Sequence, residues 1–211
     1  YTESGAYTDG IVIDAENADV VINVTGETTF DKTGNKEDCA NFITVRRAKS
    51  VTVNAEGQTI TIKAAAKNRA YTRCFYAADT FTGTAELNGG TYNMQCDDIA
   101  ACYLCGGDWT FNNLTMNAVL RAIETDRANS SFHGVKASGA GWVLNAIDNS
   151  VVNVDGGSYS RNPDAQVYKD RPTLRVANNA TLNVTNADVT GTYCDVFVTG
   201  ATANLFGGTY T

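Results

Sequence analysis

The sequence predicts an all-β solenoid, a right-handed parallel β-helix of about eight coils with about three short strands in each. Three observations predict it. A six-residue grammar recurs eight times, polar and apolar residues alternate around each copy, and Gly or Asn stands where a tight corner is needed. The chain divides accordingly into an extended segment over residues 1–10 and a single domain over residues 11–211.

The grammar is an apolar residue, a polar residue, Gly or Asn, any residue, usually Thr, Ser or Asp, then usually an apolar residue. Its copies are VTGETT from Val24, AEGQTI from Ala55, LNGGTY from Leu87, FNNLTM from Phe111, FHGVKA from Phe132, VDGGSY from Val154, VTNADV from Val184 and LFGGTY from Leu205. Successive starts lie 31, 32, 24, 21, 22, 30 and 21 residues apart. A short basic step with occasional longer ones is the mark of solenoid coils carrying surface insertions.

Two residues before each start the chain is mostly apolar, from Ile22 and Val53 to Leu182 and Ala203. The residue between is polar, from Asn23 and Asn54 to Asn183 and Asn204. Such alternation is a half-buried strand. Gly or Asn then turns the corner, because both tolerate a left-handed backbone. Five residues after each start come Thr29, Ile60, Tyr92, Met116, Ala137, Tyr159, Val189 and Tyr210, expected to face inward, as is Trp109. A further strand is visible in FITV before Arg46, in TLRVANNATL and in CDVFVTGATANL. One coil cannot bury its own apolar face, so Val24, Leu87, Val154 and Leu205 are expected to stack along a common axis.

With this pattern the chain resembles the right-handed parallel β-helix proteins of the pectin-lyase-like superfamily. The resemblance implies the fold and an extracellular, polysaccharide-rich setting, but no particular reaction.

Composition narrows the classes. Of 211 residues 43% are hydrophobic and 18% charged, with a net charge of -7, which argues against nucleic acid and anionic membranes as partners. No apolar run is long enough to span a bilayer. The chain opens on Tyr1 without Met or a charged-then-apolar leader, as a mature secreted protein or an excised domain would. Six cysteines agree with an extracellular setting, and their spacing matches no zinc pattern. Cys102 and Cys105 form a C-x-x-C without a second pair, so no metal or cofactor is expected.

Members of the superfamily often cleave acidic polysaccharides. Asp97 and Asp98 within CDDIAACYLC, with His133-Gly134 downstream, resemble the paired-carboxylate and His-Gly elements of polygalacturonase-type glycoside hydrolases. The upstream Asn-Thr-Asp and downstream Arg-x-Lys elements of those enzymes are not present at the right distance. Asp98 and His133 also fall at different offsets from their coil starts, which places them on different faces. A solvated turn at Asp97 and Asp98 is the expectation. A lyase needs a basic residue instead, and Arg46, Arg47, Lys49, Arg73, Arg121 and Arg175 are available. Their offsets from the coil starts scatter, with no acidic cluster for calcium. Asp97, Asp98 and Arg73 are the catalytic candidates if the protein is an enzyme.

Insertions fall around residues 33–41, 63–74 and 161–172. Solenoid insertions map to one side, often the binding side. The first two predict a lobe containing Lys63, Lys67, Arg69, Tyr71 and Arg73, suited to an anionic or sugar ligand; an ordinary solvated loop is the alternative. Cys39 and Cys74 lie in these insertions at similar distances before the next start and are expected to be bridged, with Cys96 a competing partner for Cys74. Cys194 is expected to be a free or intermolecular thiol.

The residues four and six positions after each start form an outward Thr-rich ladder, from Thr28 and Phe30 to Thr209 and Thr211. Such ladders resemble ice-binding solenoids, although Lys136 and Asp188 interrupt this one. Tyr92, Tyr159 and Tyr210 belong to the core, while Trp142 and Tyr168 are available for contact. Glycosylation sequons stand at Asn23, Asn113, Asn129, Asn179 and Asn183, with Asn23 and Asn183 expected on one outward ladder.

No capping helix follows LFGGTYT, and GIVIDAENADVVINV enters a strand at once. Two expectations follow: a piece of a longer surface protein, or a subunit stacking head to tail on copies of itself, with residues 1–10 adding as a strand to a neighbour. The leading expectation is a non-enzymatic extracellular structural or adhesive solenoid, either an adhesin segment or a filament subunit, with surface polysaccharide as the other partner. A carbohydrate-active β-helix enzyme is the rival, and ice binding the lesser alternative.

Overall fold

Runs of about five β-branched and aromatic residues broken by Gly and Asn cannot bury a face alone, so they must pair with equivalent runs elsewhere. The computed structural model describes residues 9–33, 40–64, 72–96, 100–162 and 170–211, and it shows that outcome. The described residues form 22 strands and no helix. The pairings between them are parallel throughout, giving an all-β, solenoid-like architecture.

Fourteen strands form one sheet and eight another. The larger sheet is two stacks joined by two long strands, Ile11–Asn23 and Asn41–Asn54, which give one half to each stack. The first stack continues through Arg73–Ala77, Cys102–Leu104, Ile123–Asp126, Leu144–Ile147, Leu174–Ala177 and Val196–Thr199. The second continues through Thr84–Asn88, Asp108–Asn112, Asn129–His133, Val151–Asp155, Thr181–Thr185 and Thr202–Phe206. The smaller sheet is the third stack: Thr28–Lys32, Thr59–Ala64, Thr91–Gln95, Thr115–Asn117, Lys136–Gly139, Ser158–Arg161, Asp188–Thr190 and Thr209–Tyr210. Consecutive strands of the chain lie in different stacks, and each strand pairs with the strands one repeat before and after it.

The register builds the core. In the second stack Ile22, Val53, Leu87, Phe111, Phe132, Val154, Val184 and Leu205 stand in one ladder. In the third, Ile60, Tyr92, Met116, Ala137, Tyr159 and Val189 do the same, all buried. Trp109, 2% exposed, stacks on Phe111, which packs against Phe132 with ring centroids 4.8 Å apart. At the last row Val198 and Leu205 occupy inward positions yet are 45% and 46% exposed.

The ladder corrects the expected alignment of the first two repeats. Ile22 and Val53, not Val24 and Ala55, stand in line with Leu87. The corner between the second and third stacks holds Ala55, Glu56, Gly57 and Gln58 in one repeat but only Gly89 and Gly90 in the next. Backbone pairing and side-chain alternation set the strand register, whereas a corner absorbs extra residues at little cost. The shift carries into the next strand: Thr28 pairs with Ile60, Thr29 with Thr61 and Phe30 with Ile62. Phe30 is therefore buried rather than outward, and Thr29 is exposed rather than inward.

Asn23 and Asn183 also part company. Asn23 heads a ladder of Asn54, Asn88 and Asn112, in which each side-chain amide donates to the oxygen of the preceding Asn at 2.9–3.0 Å. Asn183 belongs to a separate ladder two residues away, with Asn153 and Asn204 at 2.8 Å. Asn113, Asn129 and Asn179, like Asn23, are exposed. The corner after the second stack takes a left-handed backbone at Gly89, Asn113, Gly134, Gly156, Asn186 and Gly207, as the repeat grammar predicts.

Candidate functional site

Alternation along the first stack aims one residue of each strand outward, producing the ladder Thr44, Tyr76, Tyr103, Glu124, Asn145, Arg175 and Phe197. Beside it runs a second line, three residues earlier in each repeat: Asn41, Arg73, Ala100, Arg121 and Trp142. This two-residue strip is polar and aromatic, yet Asn41, Thr44, Arg73, Glu124 and Asn145 are all under 9% exposed.

At one end Tyr76 and Tyr103 stack with centroids 6.2 Å apart and planes 21° from parallel. The Arg73 guanidinium carbon lies 5.2 Å from the Tyr76 ring and 5.0 Å from that of Tyr103. It reaches the second ring because its neighbour in the adjacent row is Ala100, too short to intervene. Tyr103 donates its hydroxyl to Asp126 Oδ2 at 3.1 Å, and Arg127 Nε donates to Asp126 Oδ1 at 2.8 Å. Burial pushes the Tyr103 phenol well above its ordinary value, and nearby Cys105 and Asp126 push it the same way. The phenol is thus a fixed neutral donor.

These side chains line a groove of about 510 Å³ with Asp9, Asn41, Thr44, Arg46, Asp79 and Thr80. Asp9 closes one side: its Oδ1 accepts from the backbone and side-chain amides of Asn41, and its Oδ2 accepts from Thr44 at 2.7 Å. A groove of this size suits a small ligand or one unit of a polymer. Its stacked rings, guanidinium and anchored carboxylates can hold a polyhydroxylated ring by an apolar face and a polar edge.

Further along, Glu124 Oε2 accepts from Arg121 at 2.8 Å and from the Asn145 amide at 3.0 Å, and Arg175 donates to Asn145 Oδ1 at 2.9 Å. Trp142 is surrounded by Arg121, Arg175 and Arg171, with guanidinium carbons 4.3, 4.9 and 5.2 Å from its ring.

The expected site residues are dispersed. Arg73 lies in the groove, whereas Lys63 projects from the third stack opposite Asp31, whose carboxyl it helps hold below the usual range behind the larger effect of hydrogen bonds from Thr33. Lys67, Arg69, Tyr71, Asp97, Asp98 and Tyr168 lie outside the described residues, as does Cys39. Cys74 is fully buried with a free thiol. His133 is exposed at the end of a second-stack strand, with Nδ1 3.6 Å from Asp155 Oδ2. The Thr-rich ladder of the third stack keeps its register from Thr59 to Thr209, with Lys136 and Asp188 exposed within it.

Of the six cationic residues expected to scatter, three fall on the strip, whereas Arg47 and Lys49 pair with Asp14 and Asp19 elsewhere. Arg73 and Arg121 hold equivalent positions, two residues before Phe75 and Ile123, which both pair with Cys102, and Arg175 stands on the adjoining ladder. Offsets counted from the corner Gly hid this, because loops of unequal length separate that corner from the first stack. Aligning FITV, CFYA, ACYL, AIET, VLNA and TLRV with one another exposes the strip directly. Among the described residues no group of His, Cys, Asp and Glu has the makeup of a metal site.

No protein-family model matches this chain, and neither a curated protein nor a solved structure matches it.

Proposed function

We propose that the protein is a non-enzymatic, extracellular adhesive solenoid that holds surface polysaccharide in the groove of Arg73, Tyr76 and Tyr103. In this reading the two sheets form a right-handed parallel β-helix of eight coils with three strands each, akin to the pectin-lyase-like superfamily. Crossovers between parallel strands are right-handed in nearly all proteins, which supports that hand. The observation that carries the function is the stacked tyrosine pair under one guanidinium, flanked by carboxylates already hydrogen-bonded in place. Asp126 and Glu124 each accept from an arginine, an arrangement suited to fixed acceptors rather than to proton transfer.

Calorimetry against pectin, alginate and neutral plant and bacterial glycans tests this, with reducing and unsaturated ends followed in the same mixtures. The expected result is saturable binding to at least one polymer without chain scission, lost in Tyr76→Ala/Tyr103→Ala. Scission abolished by Arg73→Ala or Asp98→Ala establishes the carbohydrate-active enzyme instead. Absence of binding across the panel overturns the adhesive reading.

A further inference from the structure

We propose that the last row of strands is a docking face for the first row of a second copy of this chain, joined head to tail and independent of the tyrosine groove. Among the described residues, every exposed large apolar side chain but Val151 lies on the first strand or between residues 193 and 206. Val12 and Phe197, both exposed, are the two ends of one outward ladder. The members between them are Thr44, Tyr76, Tyr103, Glu124, Asn145 and Arg175. Aliphatic or Phe side chains thus stand only at the extremities, each beside a polar neighbour. Placing the first row of one copy on the last row of another continues the ladder and sets Phe197 beside Val12, on strands about 4.7–4.9 Å apart. The second stack repeats the arrangement. Phe206 ends the ladder that Asn23 heads, and Val21 stands two residues before Asn23. The same register brings the 60% exposed Phe206 diagonally across from the 61% exposed Val21, within reach of an aromatic ring.

Inward residues match in this register as well. Val198 comes to lie over Ile13 of the second copy and Leu205 over Ile22, so the half-exposed end of the apolar column is covered by residues of its own kind. The outer edges of the first and last rows, which pair with no described strand, gain a partner in each other. Little charge has to be desolvated. Asp195 is the single charged residue from Gly191 to Thr211, and Asp14 and Asp19 of the first strand are bonded to Arg47 and Lys49 in the row behind. Each row spans about twenty residues, the number that one side of a stable interface of standard size contributes, about 800 Å². Two different faces meet, so the contact does not close and further copies can add.

Sedimentation velocity and negative-stain electron microscopy at rising protein concentration test this, with a reductant present so that Cys194 cannot bridge copies. The expected result is species that lengthen with concentration into rods one molecule wide. Phe197→Glu places an unpaired charge in the junction and should raise the dissociation constant by about tenfold or more. Val12→Lys in the same chain as Phe197→Glu should restore assembly, because opposite charges then face each other across the junction. A single-chain species at every concentration up to the solubility limit overturns the docking face without recourse to any variant, and so does a dimer that grows no further. Unchanged assembly of folded Phe197→Glu, or no recovery in the double variant, overturns it as well. The glycan panel reads the tyrosine groove, so either proposal can fail alone.

Discussion

Tyr103 donates its phenolic hydrogen to Asp126 across neighbouring strands at 3.1 Å, and Asp126 is only 7% exposed. A hydrogen bond to a carboxylate shielded this far is stronger than one in open solvent. Tyr103→Phe keeps the ring stacked on Tyr76 but removes that donor. We expect it to lower unfolding stability by about 1–2 kcal/mol, Arg127 still bonding the carboxylate. Urea unfolding measures this, with Tyr193→Phe at a 65% exposed position as the control, expected within about 0.5 kcal/mol of the parent.

The second-stack ladder should show a gradient set by burial. Phe111 is fully buried between Trp109 and Phe132, so Phe111→Ala removes a ring and leaves a cavity that its neighbours cannot close. The expected cost is about 3–5 kcal/mol. Leu205 occupies the same ladder at 46% exposure, and Leu205→Ala should cost under about 1 kcal/mol. Equal losses at the two positions would contradict the inward column.

Gly157 tests the corner. It has φ +84°, and a Cβ there would lie 2.1 Å from the carbonyl oxygen of Val135 in the neighbouring corner. Gly157→Ala therefore meets left-handed strain and a backbone clash together, and should cost more than about 2 kcal/mol. Gly57 shares the left-handed backbone, at φ +71°, but a Cβ there meets nothing within 4 Å. Gly57→Ala should cost about 1 kcal/mol, the conformational part alone. Thermal unfolding of the two variants separates the effects.

Alkaline pH should weaken the fold. Burial raises the ionisation of the Cys74 thiol and of the Tyr92, Tyr103 and Tyr159 phenols well above their ordinary values. The unfolded chain releases these protons near ordinary values, about 8.5 for Cys and about 10 for Tyr, while the folded chain retains them. The stability these groups contribute is complete below those values and is lost progressively as pH climbs toward the raised folded ones. Urea midpoints should stay level from pH 7 to about 8, then fall through about pH 11. Cys74→Ala should delay the first part of that fall.

The repeat itself was legible in the chain, because a corner needing a left-handed backbone accepts few residues and a half-buried strand alternates strictly. Leu87, Phe111, Phe132, Val154, Val184 and Leu205 could be aligned from those two constraints alone. Ile22 and Val53 could not. Corner length varies without disturbing strand pairing, so Gly26 and Gly57 point to an alignment two residues away from the one the backbone adopts.

The outer strip was invisible for a related reason. Arg73 and Arg121 are 48 positions apart in sequence and equivalent only once the first stack is in register. Residue types and alternation, which are local properties, determined that this chain forms short parallel strands around an apolar interior. Which outward side chains meet depends on how many residues each connection consumes before the next strand begins. That is a sum over distant segments, and only the paired backbone resolves it, seating Tyr76 beside Tyr103 and three arginines around Trp142.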